Sequence, residues 1–205
     1  MNVYKTHYLS GIIITVFVGV HLLNHTYAVL GAHRHIEIMQ SLRLFYRNIF
    51  VETILVSAVA LQIISGFKLF KTARKTATTA FDRLHIYTGL YLAVFFIIHI
   101  CAVMAGRFIL KLDTNFYFGV AGLNTFPLNL FFIPYYALAI LSVFGHIASI
   151  HHKKMKRAIL GLSPGTQSIV IFTIGVIWTI VIFYGLTNGF AGVPIPNEYN
   201  MQLSK

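Results

Sequence analysis

The chain has little charge, almost no acid and a single cysteine. Of its 205 residues, 16 are Lys or Arg and five are Asp or Glu, together 10% of the sequence, while 57% are apolar. A soluble domain carries roughly 25% charged residues, and disordered chains are poor in the apolar types that dominate here. Both classes are excluded. Cys101 stands alone, so no intrachain disulfide forms, and there is no Cys-x-x-Cys-His run to attach a haem covalently. The charges that are present leave long gaps: residues 6–33, 84–106, 114–152 and 158–197 carry none, and 48–67 carries only Glu52. About 20 apolar residues suffice for one helical crossing of a bilayer, so each gap is long enough for a transmembrane helix.

Turn and charge signals divide the gaps into five expected helices at about 9–30, 49–70, 85–106, 130–151 and 168–189. The breaks are His33-Arg34-His35, Lys71 to Arg83, Asp113 to Pro127 and Lys153 to Pro164. The expected fold is therefore an all-α integral membrane protein, one domain over 1–205 with five transmembrane helices. An odd number of crossings puts the termini on opposite sides. Ten of the 16 basic residues, among them Lys5, Lys68, Arg83 and the run Lys153-Lys154-Met155-Lys156-Arg157, fall on the N-terminal side, and four of the five acids fall on the other. The positive-inside rule then expects a cytoplasmic N-terminus and an outer C-terminus in a bacterial-type inner (cytoplasmic) membrane. On that reading the net charge of +11 serves topology and contact with anionic lipid headgroups, not nucleic acid. Ala28 to Ala32 faintly resembles a signal-peptidase site, but the length and histidines of the preceding stretch favour a retained helix. The loop at about 107–129, rich in Phe and Tyr, is expected to lie at the outer interface, where aromatic side chains settle.

Ten histidines stand out in so apolar a chain, because polar groups inside a membrane are costly and usually functional. His7 and His21 are 14 residues apart, and so are His85 and His99. That spacing returns to nearly the same helix face about 21 Å further along. The surroundings match too: His7-Tyr8-Leu9-Ser10-Gly11 and His85-Ile86-Tyr87-Thr88-Gly89 both read H-x-x-[ST]-G. The first and third helices run in the same direction, so His21 and His99 are expected at one depth, as bis-histidine ligation of a b-type haem iron requires. Hydrogen bonding between helices is the plainer alternative. His25, one turn beyond His21, could be the ligand itself or the partner of a haem propionate. His33, His35, His151 and His152 are expected as solvated imidazoles at loops or interfaces.

These residues resemble a known family, the membrane cytochrome b subunit of succinate dehydrogenases and fumarate reductases in its five-helix, single-chain, two-haem form. Ser10-Gly11 to His21-Leu22-Leu23-Asn24 looks like that family's first ligand helix, and Tyr46-Arg47 through Glu52 to Gln62-Ile63-Ile64-Ser65-Gly66 looks like its second. Arg83 through Thr88-Gly89 to His99 is similar to the third, and His146 to the last ligand. The resemblance implies a four-helix haem-binding bundle in which the first and third of these helices hold an outer haem and the second and fourth an inner one. Gln62 departs from the pattern, since it stands where the family has a histidine. Three outcomes stay open for the inner site: no haem, a haem held by His146 alone, or one whose second ligand is His7 or His85. The last two residues could equally bind propionates or a quinone headgroup beside Lys5 and Arg83.

The expected function is electron transfer by haem b, one or two per chain, between a membrane quinone and a partner. By resemblance that partner is a pair of soluble flavoprotein and iron–sulfur subunits. A stand-alone haem oxidoreductase without soluble subunits, and a non-haem anchor whose histidines form a proton path, are the competing readings. Glu52, one turn inside the outer end of the second helix, is expected either as a proton relay or as a snorkelling interfacial acid.

Overall fold

A computed structural model describes residues 2–200. The described residues form seven α-helices and no strand: α1 (Val3–Thr26), α2 (Ala32–Tyr46), α3 (Ile49–Thr76), α4 (Ala80–Met104), α5 (Phe116–Asn124), α6 (Asn129–Lys154) and α7 (Pro164–Leu186). Polar side chains start most of them. Asn2, Asn48 and Asn115 each accept the backbone N–H two residues on, Thr79 and Asp82 form a reciprocal capping box, and Ser163 caps α7 ahead of Pro164. Five helical segments are long and apolar enough to cross a membrane: Val3–Leu30, Ile49–Thr76, Ala80–Ile109, Asn129–Lys154 and Pro164–Leu186. They are the five expected from the charge gaps. The helices reach further than expected at their basic ends, because Lys5, Lys71 and Arg74 sit within helices whose long charged side chains can extend toward water.

Two expectations about connections are corrected. His33-Arg34-His35 does not break the chain but opens α2, where His35 and Met39 are buried one turn apart. The aromatic loop likewise contains α5, capped by Asn115, with Phe116, Val120 and Leu123 buried. In both cases one face at helical spacing packs on neighbouring helices, which outweighs the local charge or glycine content.

The long helices close a ring in the order α1, α3, α4, α6, α7 and back to α1, with α2 and α5 packed near one end. We call the end where α1 and α4 finish the upper end, and the end where they begin the lower end. The ring is apolar on its outside, and its interior mixes apolar with small polar residues. Val16, Ile54, Leu130 and Ile177 are exposed on its outer surface, whereas Ser10, Ser65, Ser149, Ser168 and Thr179 are buried within it. Ser149, Ser168 and Thr179 satisfy their hydroxyls on the carbonyl one turn back, at 2.7–2.9 Å, so small polar residues let helices approach without stranding a donor. α7 is fixed to α1 by Trp178, whose indole N–H donates to Thr26 Oγ1 at 2.7 Å. At Gly185 the backbone of Ala28 and Val29 comes so close that a Cβ would lie 2.5 Å from Val29 N.

Candidate functional site

α1 and α4 each carry an aromatic side chain one turn before the upper histidine. Phe17 stacks on His21 (centroids 5.8 Å apart, planes 16° from parallel) and Phe95 stacks on His99 (5.1 Å, 12°). An offset of 78 residues therefore relates five positions of α1 and α4: His7 to His85, Ser10 to Thr88, Gly11 to Gly89, Phe17 to Phe95 and His21 to His99. The histidine pairs were legible from spacing; the phenylalanines were missed, although the same offset contains them. The imidazoles of His21 and His99 approach with centroids 6.3 Å apart and planes inclined at 65°. Both line a cavity of about 320 Å³ at the upper end of the ring, walled by α1, α3, α4 and α6, by Ile182, Phe183 and Leu186 of α7, and by α2 and α5. The four-helix wall that the resemblance implies is thus completed by α7.

The size and the histidine separation can be tested against a haem. Ligand pockets run from roughly 300 Å³ upward, and two imidazole nitrogens each about 2 Å from one metal put their ring centroids roughly 6 Å apart. Among the described residues no three His, Cys, Asp or Glu side chains gather as a self-sufficient metal site. A haem needs only the axial ligands from the protein, because the porphyrin supplies the rest. Two buried polar atoms of cavity-lining residues, Asn24 Oδ1 and Arg43 Nε, have no hydrogen-bond partner. The residues present fit the group.

Beside His21 runs a chain of imidazoles. His25 Nε2 lies 3.1 Å from His21 Nε2, and His25 Nδ1 lies 3.2 Å from Nε2 of His35. The Asn24 amide nitrogen is 3.2 Å from the same His35 atom. His25 is thus engaged at both ring nitrogens, Nδ1 with His35 and Nε2 with His21, which holds its ring in place beside the cavity. His35 is therefore not the solvated imidazole expected: it is 2% exposed, and burial first, then His21 and Arg43, hold its pKa down at about 4. His151 and His152 are corrected too. His151 bonds Gln167 at 2.8 Å, while His152 stacks on Phe81 at 4.0 Å, so packing at the α6–α7 and α4–α6 junctions has recruited both. His33 is exposed, as expected.

The lower end holds a second polar group built on a motif that four helices share: His7-x-x-Ser10-Gly11, Gln62-x-x-Ser65-Gly66, His85-x-x-Thr88-Gly89 and His146-x-x-Ser149. Between α1 and α3 the exchange is reciprocal. Ser10 donates to Gln62 Oε1 at 2.6 Å, Ser65 meets His7 Nδ1 at 2.9 Å, and the Gln62 amide meets His7 Nε2 at 3.1 Å. Between α4 and α6, Thr88 meets His146 Nδ1 at 3.2 Å, and the rings of His85 and His146 stack at 4.3 Å, 18° from parallel. The glycines serve these contacts: a Cβ on Gly89 would lie 3.1 Å from His146, and one on Gly11 3.4 Å from Gln62. Face-to-face stacking at that distance leaves no place for an iron between the two imidazoles.

The cavity's upper mouth was not foreseen as a unit. Arg43 and Arg47 at the end of α2, Glu52 at the start of α3 and Arg107 in a π turn (Ala105–Ile109) after α4 all line it. Arg107 pairs with Glu52, Arg43 donates to Asp113 at 2.7 Å, and Arg47 donates to the neutral Thr114 hydroxyl at 2.9 Å. Burial, then Arg43 and Arg107 nearby, push the Arg47 guanidinium below its ordinary pKa.

The class these observations define, among the described residues, is an all-α chain with five membrane-length apolar helices around a histidine-lined cavity. No protein-family model, curated protein or solved structure matches it.

Proposed function

We propose that the chain is a membrane-embedded b-type cytochrome that binds one haem between His21 and His99 and passes single electrons between a quinone pool and a partner. The observation that carries this reading is the 6.3 Å separation of the two imidazoles on the wall of one 320 Å³ cavity. When bound, haem supplies reversible one-electron iron chemistry. His21 and His99 hold the iron from α1 and α4, and Phe17 and Phe95 stack against them to fix their ring orientation. His25, backed by His35, is the neighbouring nitrogen of the same wall. Apolar residues of α3, α6 and α7 exclude water, which keeps the iron's surroundings at low dielectric. The lower group is occupied by its own hydrogen bonds and a stacked histidine pair, which supports one haem, not two.

By resemblance, the partner is a flavoprotein and iron–sulfur assembly docking on the basic, cytoplasmic side. A stand-alone quinone-linked oxidoreductase is the alternative, and co-purification of soluble subunits separates the two. A pyridine haemochrome assay with a reduced-minus-oxidised spectrum on the purified chain tests the core reading. The expected ratio is about one haem per chain, lost in His21→Ala and in His99→Ala and kept in His33→Ala. A colourless wild-type chain removes the cytochrome reading in favour of a non-haem anchor or proton path, and a ratio of two removes the lower-end argument.

A further inference from the structure

We infer that the arginines at the upper mouth form a clamp for the two propionate carboxylates of the haem, so that the macrocycle enters with its acidic edge toward α2 and the π turn. The inference rests on the cytochrome reading and adds an orientation and a carboxylate site to it. Three guanidiniums from two separate segments, the end of α2 and the π turn after α4, converge on one end of the cavity, facing only two carboxylates, those of Glu52 and Asp113. A positive charge is left over. It falls on Arg47, which among the described residues has a neutral hydroxyl as its side-chain partner and no carboxylate. Arg43 shares its other face with Asp113 but leaves its buried Nε unpartnered.

Buried guanidinium N–H groups without acceptors are costly, and a planar fork is built for carboxylate geometry. An apolar ring with two acidic side chains on one edge matches the site at both ends. The macrocycle suits the apolar wall of Leu55, Val59, Phe96 and Val143, and the carboxylates suit Arg43 and Arg47. The opposite insertion would drive both carboxylates into that wall. There a buried charge has no partner.

The discriminating probe is haem dimethyl ester, whose propionates are capped and uncharged. The full chain, purified in detergent and freed of haem, is titrated with haem and with the ester. Wild type is expected to hold free haem at least about tenfold more tightly, as charge-assisted hydrogen bonds to two carboxylates require. The Arg43→Gln/Arg47→Gln double variant should bind both porphyrins with the ester's affinity. Arg47→Lys, which keeps the charge and loses the fork, should fall between. Far-ultraviolet circular dichroism checks that the variants keep their helices, and the wild-type comparison needs no variant at all. Equal wild-type affinity for the two porphyrins overturns the clamp and leaves the cytochrome standing; that is also the outcome if lipid phosphate fills the mouth instead. Failure to bind either porphyrin overturns the cytochrome reading and the clamp with it.

Discussion

His35 shows how a single residue can escape a sequence-based reading. Its neighbours His33 and Arg34 are exposed, and three basic residues in a row read as a loop, yet His35 faces the opposite way on α2 and is sealed against His25, Asn24 and Phe116. Burial side cannot be read from the identity of adjacent residues, only from helical phase, and α2 was not expected to be helical. The pH behaviour follows from its depressed pKa of about 4. An unfolded histidine titrates near 6.5, so the folded state binds fewer protons between these values. The stability His35 lends is complete above about pH 6.5 and drains away as the pH falls toward 4. From pH 8 to pH 5 the loss should be about 1–2 kcal/mol. His35→Gln keeps a hydrogen-bonding side chain that cannot titrate, so its thermal midpoint should drop less than wild type's across that interval. Parallel curves for the two proteins would refute the assignment. Gln62 is the converse case: its divergence from histidine was visible in sequence, but its use, a bond to His7 and another from Ser10, depends on α1 and α3 lying side by side.

At the level of elements, the five long helices were legible because hydropathy is local and a membrane-length run has few other interpretations. The short helices were not, since α2 and α5 owe their buried faces to partners distant in sequence. The seams between long helices were half legible. Small residues are expected at helix crossings, but sequence does not say which glycines are pressed. Gly185 and Gly19 separate the cases. A Cβ on Gly185 would meet the backbone of Ala28 and Val29, which cannot swing aside, whereas Gly19 has nothing within 4 Å of its would-be Cβ. Gly185→Ala should therefore cost about 1–3 kcal/mol by overpacking. Gly19→Ala should be neutral or gain up to about 1 kcal/mol from helix propensity. Thermal unfolding of the purified variants, followed by circular dichroism, measures both. Equal effects would mean that α7 does not press on the end of α1 as described.

Taken together, the described residues bury small polar side chains among apolar ones, leave large apolar side chains exposed, and carry their charge at the two ends, the arrangement expected of a chain whose solvent is lipid. The charge count carries an expected orientation. Among the described residues ten of the basic side chains lie at the lower end, with Lys153 paired to Asp82 at 2.9 Å and Lys154 set over the Tyr8 ring at 4.5 Å, while the upper end holds five and most of the acid. Positive charge resists export, so the proposed orientation puts the lower end in the cytoplasm and turns the arginine-lined mouth outward. That mouth was invisible in the sequence because Arg107 comes from a segment about 60 residues beyond Arg43 and Arg47, and each alone passes for a topology signal. Single cysteines in a Cys101→Ser background decide the orientation. Thr78, between α3 and α4, and Ser41, on α2, are both exposed at opposite ends of the ring. In intact cells a membrane-impermeant maleimide should label Ser41→Cys and spare Thr78→Cys, and after lysis it should label both. The reverse pattern in intact cells would invert the molecule, turn the mouth toward the cytoplasm and place the basic end on the side where a soluble electron-transfer partner could not reach it.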